Sequence, residues 1–204
     1  LGGDDTLVGN ADAASTLQGG TGNDWYYVNR TGDSVIEAAG EGEVILLPMA
    51  PASAPETMRK ALAMGATRGV LVTDPALEGS CAVATTRVLA AALKTLEFDL
   101  VFAGVDSSDG FAGVVPAGVA ALTGLPYLSW AAEIVPDTGA GRVRVHRISP
   151  TGYDVLEAPM PALISGTQAL GEPRYPSLKG IMGARSKEIA TLSLAGLGLD
   201  PATV

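Results

Sequence analysis

The 204 residues hold one cysteine and one histidine, which leaves little for thiol redox chemistry or for a cysteine–histidine metal site. Standing alone, Cys81 excludes an intrachain disulfide and a cysteine-cluster metal site, and it is expected to be buried. His146 falls in a predicted strand with no cysteine or second histidine to share a metal. A surface or hydrogen-bonded role is expected of it, not metal binding or general-base work. Ser107, Ser108 and Ser165 lack both a histidine and the strained elbow of a nucleophile. The two tryptophans, Trp25 and Trp130, read as packing aromatics. Positive charge is scarce as well: 13 lysines and arginines face 22 acids, for a net charge of −9. That leaves no basic face for nucleic acid. No apolar run is long enough to span a bilayer, and the first residues are glycine-rich and acidic, not basic and then apolar. Neither membrane insertion nor a signal peptide is expected, and the expected location is cytoplasmic.

What is present suits a folded chain. Hydrophobic residues make up 47% and charged ones 17%, enough for one good core, or one core plus a small appendage. The 26 glycines and 13 prolines imply many turns around short elements. The negative charge is uneven: residues 1–42 hold seven acids against Arg30 and so carry six of the nine net charges.

That acidic head has its own pattern. Gly3-Asp-Asp-Thr-Leu7 and Gly22-Asn-Asp-Trp-Tyr26 repeat a G-x-D-x-U core, and Gly19–Tyr27 fits the nonapeptide G-G-x-G-x-D-x-U-x. The stretch resembles the end of a repeat-in-toxin array, a calcium-binding parallel β-roll. In that reading glycines permit the tight turns, Asp5 and Asp24 offer hard carboxylate oxygens to Ca2+, and Leu7 and Tyr26 point into the roll. Their separation of 19 is one more than two nine-residue turns, so an insertion is expected in Ala11–Thr16. Gly32–Glu37 and Gly40–Gly42 resemble the capping tail of such arrays. Two repeats are too few to stack into a stable roll alone, and the other reading is an acidic, loosely ordered head.

From Glu43 onward strands alternate with helices. Glu43–Met49 is a predicted strand, Pro55–Met64 a helix with Met58 and Leu62 on its apolar face, Gly69–Thr73 a strand, and Ala82–Leu96 an amphipathic helix. Asp99–Gly104 follows as an apolar strand expected to be buried on both faces of a parallel sheet. Such alternation implies helices on both sides of that sheet. Past Pro126 the texture changes. Tyr127–Val135 and Arg142–Ile148 alternate around Pro136–Gly141, a hairpin signal, with further strands at Tyr153–Ala158 and Ala162–Ser165. From Gly171 an extended arm is expected.

Asp99–Pro126 organises the rest. After its strand, Gly104–Gly113 holds three glycines, two serines and two aspartates, expected to turn sharply and leave amides free. Pro116 suits the first turn of the following helix, and Gly124 its C-terminal stop. A polar loop leading from a strand into a helix N-terminus is where α/β sheets hold anions. A nucleotide phosphate site is one reading, and an empty, well-capped turn is the other.

Together with Glu43–Ala66, which ends in Ala61-Leu-Ala-Met-Gly-Ala66, and with Glu172-Pro-Arg-Tyr-Pro-Ser-Leu-Lys-Gly-Ile-Met182, this loop resembles the β subunit of electron-transfer flavoproteins. The last stretch matches the family's E-P-R-Y-x-x-L-x-x-I-M signature, and the resemblance runs from about Glu43 to the last residue. It implies an α/β fold with a Rossmann-like parallel sheet of the adenine nucleotide α-hydrolase-like kind, a β-hairpin and an extended C-terminal arm. Residues 43–204 would form this domain, with a recognition arm at 171–187, behind a short β-roll-like head at 1–42. The resemblance further implies an AMP, or a second FAD in bifurcating members, and a heterodimer with an α subunit that carries the redox FAD. Such a pair is a non-catalytic electron carrier of fatty acid oxidation, linking acyl-CoA and other dehydrogenases to a quinone reductase.

Carried over by position, the ligand residues are Gly104, Asp106, Ser107, Ser108, Asp109, Gly110, Gly113, Val114 and Val115. Met49 and Ala50 align beside the nucleotide, with core packing as the plainer reading. Many relatives have an aspartate run and then N-Q-T-G, whereas Asp109–Pro116 leaves mainly backbone amides. Asp106 or Asp109 serves either as ligand or as helix cap. Docking falls to Glu172, Pro173, Arg174, Tyr175, Leu178, Ile181 and Met182, with Leu178 as the apolar anchor. Arg174, Lys179, Arg185 and Lys187 would steer an acidic dehydrogenase surface, or form a solvated face. The family's first strand, its arginine- and lysine-bearing loop and its N-P-x-x-E segment have no counterpart, and its partner-wrapping tail ends early. A sheet without its first strand exposes an unpaired edge. A truncated or misassembled gene product is the favoured explanation, and a genuine fusion the other. Two other functions fit parts of the chain: a secreted calcium-binding repeat protein, or a generic adenine-nucleotide-binding α/β module.

Overall fold

The computed structural model describes residues 42–107, 111–171 and 175–204, with the backbone of four short strands nearer the N-terminus. The chain divides into two units, Leu1–Glu43 and Val44–Val204.

In the first unit the strands are β1 (Thr6–Val8), β2 (Thr16–Gln18), β3 (Trp25–Tyr27) and β4 (Ser34–Ile36). Pairing skips a strand: β1 lies parallel to β3 and β2 parallel to β4. This is how a chain coiling through two short strands per turn pairs with itself. Leu7 faces Tyr26 in register, and Leu17 faces Val35. The strands begin at 6, 16, 25 and 34, so the extra residue lies between β1 and β2, the interval that holds the expected insertion.

The second unit contains β5 (Ile45–Leu46), α1 (Pro55–Ala63), β6 (Arg68–Val72), α2 (Ala82–Leu93), β7 (Leu100–Gly104), α3 (Val115–Thr123), β8 (Tyr127–Asp137), β9 (Arg142–Ser149), β10 (Gly152–Pro159), β11 (Ala162–Gly166), α4 (Leu178–Ala184) and β12 (Ile189–Leu192). Strands β12, β6 and β5 form one wholly parallel sheet, and a second runs β10-β9-β8-β11-β7. In the latter β7, β11 and β8 are parallel, while β8, β9 and β10 form an antiparallel meander.

Helix α2 serves both sheets. Its small side chains let it lie close to each: Val88 and Ala92 pack with Val72 and Leu194, and Ala90 and Leu93 with Val119, Ala120 and Leu163. A side chain at Gly118 would run into Thr86, so the glycine sets the close approach of α3 to α2. Proline in its first turn starts α3, and Gly124 stops it in the left-handed region at φ +75°.

Three expectations need correction. Strand β7 is not buried on both faces. Among the described residues it pairs only with β11, and Phe102 is 53% exposed. Strand β5 likewise pairs only with β6 and is cut to two residues, with Met49 joined to Val72 by an isolated bridge. Each strand is therefore an edge, with one row of backbone groups unpaired by a neighbouring strand and side chains covered from one side less. Second, the chain after Gly171 is more than an extended arm. Ser177 accepts the Gly180 amide at 3.0 Å and so caps α4, and β12 then returns to pair with β6. Third, Cys81 is exposed, because it occupies the N-cap position of α2.

Candidate functional site

The loop between β7 and α3 is closed by one carboxylate. Asp106 Oδ1 accepts the amides of Ser107 and Gly113, each at 2.9 Å, and so ties the loop's start to its end. Further in, the Phe111 amide donates to the Ser107 carbonyl at 3.1 Å. Gly113 sits at φ +60° and supplies a conformation costly for other residues. Phe111 adopts φ +46°, a backbone conformation uncommon for a side-chain-bearing residue.

This geometry revises the reading of Asp106. Its bonded carboxylate oxygen serves the loop, and the N-cap position of α3 is Val114, which makes no side-chain cap bond. The expected free amides are fewer than the composition implied, since Ser107, Phe111 and Gly113 spend theirs internally. The amides of Ala112, Val114 and Val115 have no partner among the described residues and stand at the N-terminus of α3, where the helix dipole is positive. Ser108, Asp109 and Gly110 lie outside the described residues.

Met49 and Ala50 belong to the other sheet. Met49 packs on Val72, Val88, Ala92 and Leu194, and the Ala50 amide is spent on the Val72 carbonyl at 3.1 Å. Met49 is thus partly buried at the edge of that core cluster.

The rim beside the loop holds a cluster that composition did not single out. Gly104 pairs with Gly166, and Gly166 with Ala131, so the carboxyl end of β11 lies between the loop and β8. Fully buried Ser165 accepts the Trp130 amide at 3.3 Å and shares a 2.9 Å hydrogen bond with the Tyr127 hydroxyl. The Thr167 amide and hydroxyl both donate to the Ala131 carbonyl. Trp130 is 55% exposed at φ +57°, so it is not the packing aromatic expected. The β8 register slips between Ala131 and Glu133, and nothing in the local sequence announces that slip.

The arm residues fall on or just before α4. Tyr175, Leu178, Ile181 and Met182 are all exposed, Leu178 at 75%. Glu172, Pro173 and Arg174 lie outside the described residues. Helix α4 is fixed to α1 by two cations that exchange carbonyls. Arg59 Nη1 donates to the Ala184 and Lys187 carbonyls at 2.6 and 2.5 Å, and Lys187 Nζ donates to those of Leu62 and Ala66 at 2.9 and 2.6 Å. Lys187, expected among the steering cations, is engaged in this contact. Gly180 permits it, since a Cβ there would lie 2.5 Å from the Ala63 carbonyl oxygen.

Elsewhere, His146 Nδ1 lies 2.7 Å from Glu133 Oε2 and its ring stacks on Tyr153 at 5.1 Å, which makes it a hydrogen-bonded strand residue. The side-chain bonds from Arg142 and then Arg144 hold the Glu157 carboxyl below the usual carboxylate range. The Ala84 and Val83 amides at the start of α2 lower the Cys81 thiol. Among the described residues no group of three or more metal-ligating side chains assembles, and Asp5 and Asp24 lie outside them. Nor is any described helix long and apolar enough to cross a membrane.

A family profile described as the electron transfer flavoprotein domain matches residues 32–197. The chain is 42% identical over 161 residues to the electron transfer flavoprotein subunit beta of Mycobacterium bovis, covering 78% of this chain and 60% of that protein. With the subunit of the same name from Megasphaera elsdenii it shares 34% over 175 residues, covering 82% and 64%. With the caffeyl-CoA reductase-Etf complex subunit CarD of Acetobacterium woodii it shares 36% over 161 residues, covering 78% and 60%. The chain thus spans 60 to 64% of the length of these relatives. Extensive identity and a matched profile agree with the α/β architecture: the chain belongs to the electron transfer flavoprotein family, as a member of its β-subunit type.

Proposed function

We propose that this chain serves as the β-type subunit of an electron transfer flavoprotein, itself non-catalytic. It pairs with a flavin-bearing α subunit and relays electrons from acyl-CoA and other dehydrogenases to a quinone reductase, in the cytoplasm. The observation that carries this reading is the family match across residues 32–197. Bound FAD, held mainly by the α partner, supplies the redox chemistry. The residues of this chain bind, orient and dock.

The Gly104–Val115 loop would hold AMP, or a second FAD in a bifurcating-type complex, through a phosphate. Unpartnered amides of Ala112, Val114 and Val115 at a helix N-terminus suit an anion, and Asp106 keeps them in place by closing the loop. Leu178, exposed on a capped helix, suits an anchor that enters a dehydrogenase pocket. Co-purification tests the pairing: the native chain should elute with a yellow α subunit and release adenine nucleotide on acid treatment. Elution without flavin or nucleotide would contradict both claims. A Leu178→Ala variant should slow electron delivery from dehydrogenases, and unchanged delivery would remove the docking role.

The parallel pairing of β1 with β3 and β2 with β4 favours a second reading for the head, in which Asp5 and Asp24 hold Ca2+. Calcium titration should then change Trp25 emission with saturation, and a flat response would dismiss it.

A further inference from the structure

An open groove of about 530 Å³ runs between α1 and α4. Ala63, Pro176 and Ile181 line it with apolar surface, and Glu56, Lys60 and Arg185 with charge. Leu178 and Met182 protrude from the same short helix. The electrostatics here run against those of the whole chain. A protein of net charge −9 places Arg59, Lys60, Lys179, Arg185 and Lys187 on these two helices and the turn after α4, against Glu56 and Glu188. Arg59 and Lys187 are bonded to carbonyls, which do not cancel their charge. The side chains of Lys60 and Arg185 make no hydrogen bond or ion pair among the described residues, and both residues are exposed. The walls are held at fixed spacing by the Arg59–Lys187 carbonyl exchange, so the groove is preformed and little ordering cost falls on binding.

We propose that this groove receives an acidic amphipathic segment of a dehydrogenase partner. One apolar side chain enters beside Ala63, Pro176 and Ile181, and carboxylates meet Lys60 and Arg185. Docking on this face is then two-part, with Leu178 inserting outward and the groove taking a segment inward. The inference rests on the docking role proposed for Leu178, and charge complementarity selects the occupant: a cationic, apolar-lined groove rejects a basic segment and favours an acidic one.

The test uses the native complex as electron acceptor for a purified acyl-CoA dehydrogenase, with KM and kcat measured at low and high salt. The double variant Lys60→Glu/Arg185→Glu should raise KM about tenfold at low ionic strength and leave kcat unchanged, with the gap closing as salt screens the charges. Glu56→Lys should lower KM. If the charge variants leave KM within about twofold while Leu178→Ala raises it, the groove proposal is overturned and the docking role stands. If Leu178→Ala and the charge variants all leave KM unchanged, both fall. Should the double variant not fold, Glu56→Lys decides alone: a lowered KM supports the groove, and an unchanged one overturns it.

Discussion

Arg59 and Lys187 each cap the helix that the other follows or belongs to. The guanidinium of Arg59, on α1, takes the carbonyls of Ala184 and Lys187 at the end of α4, and the ammonium of Lys187 takes those of Leu62 and Ala66 at the end of α1. Each helix thereby gains a cation at its negative end, bonded to carbonyls at or just past its last turn. Replacing either residue with methionine keeps the apolar stem and removes the bonds. Each variant should lose about 1–3 kcal/mol in denaturant unfolding, with faster amide exchange across 178–184. Unchanged stability and exchange would show that packing of Ala184 and Leu62 alone holds the arm.

Asp106 closes the β7–α3 loop from within, and the proposed nucleotide site depends on that closure. Asp106→Ala removes the acceptor for the Ser107 and Gly113 amides and should weaken AMP binding by the native complex at least about tenfold, read by calorimetry. Asp106→Asn keeps an acceptor oxygen and should lose far less. Equal losses would mean that the charge, not the bridge, matters.

Ser165 is the buried support of the neighbouring rim. Ser165→Ala leaves the Trp130 amide without its acceptor and the Tyr127 hydroxyl without its partner and should cost about 1–3 kcal/mol. The emission of Trp130 should shift as its left-handed backbone relaxes. A stable variant with an unshifted spectrum would show that the strain is held elsewhere.

Cys81 yields a pH prediction. Amides of Ala84 and Val83 favour its thiolate, so its pKa lies below that of an ordinary thiol, and a larger fraction is ionised at any pH below that value. Iodoacetamide labelling should therefore reach half its maximal rate at lower pH than for a cysteine in an unstructured peptide. A midpoint at or above the peptide's would contradict the amide contacts.

Local signals carried well from sequence to structure, and signals that depend on neighbours did not. Pro116 and Gly124 bracket α3 because their backbone preferences act within one turn. Spacing in the head pointed to an interval one residue too long, and the β1–β2 step has it. Phe102 sits in an apolar strand that reads as central, yet its exposure is set by which strand lies beside β7. Trp130 depends on a register slip between β8 and β9, and the Arg59–Lys187 contact joins residues 128 positions apart. Helix α4 had a readable sign, Ser177 placed before Leu178, which the signature around it obscured. The loop was found from its glycines and its place after a strand, but which amides stay open depended on where Asp106 turned.

The most direct measurement is reduction of the chain's native complex by an acyl-CoA dehydrogenase and its substrate, followed by flavin absorbance in stopped flow. If this chain is the β-type half of an electron carrier, the complex contains flavin, the flavin bleaches when dehydrogenase is added, and Leu178→Ala slows that bleaching. A complex that contains flavin but is not reduced, or a chain that never associates with a flavoprotein partner, would contradict the account.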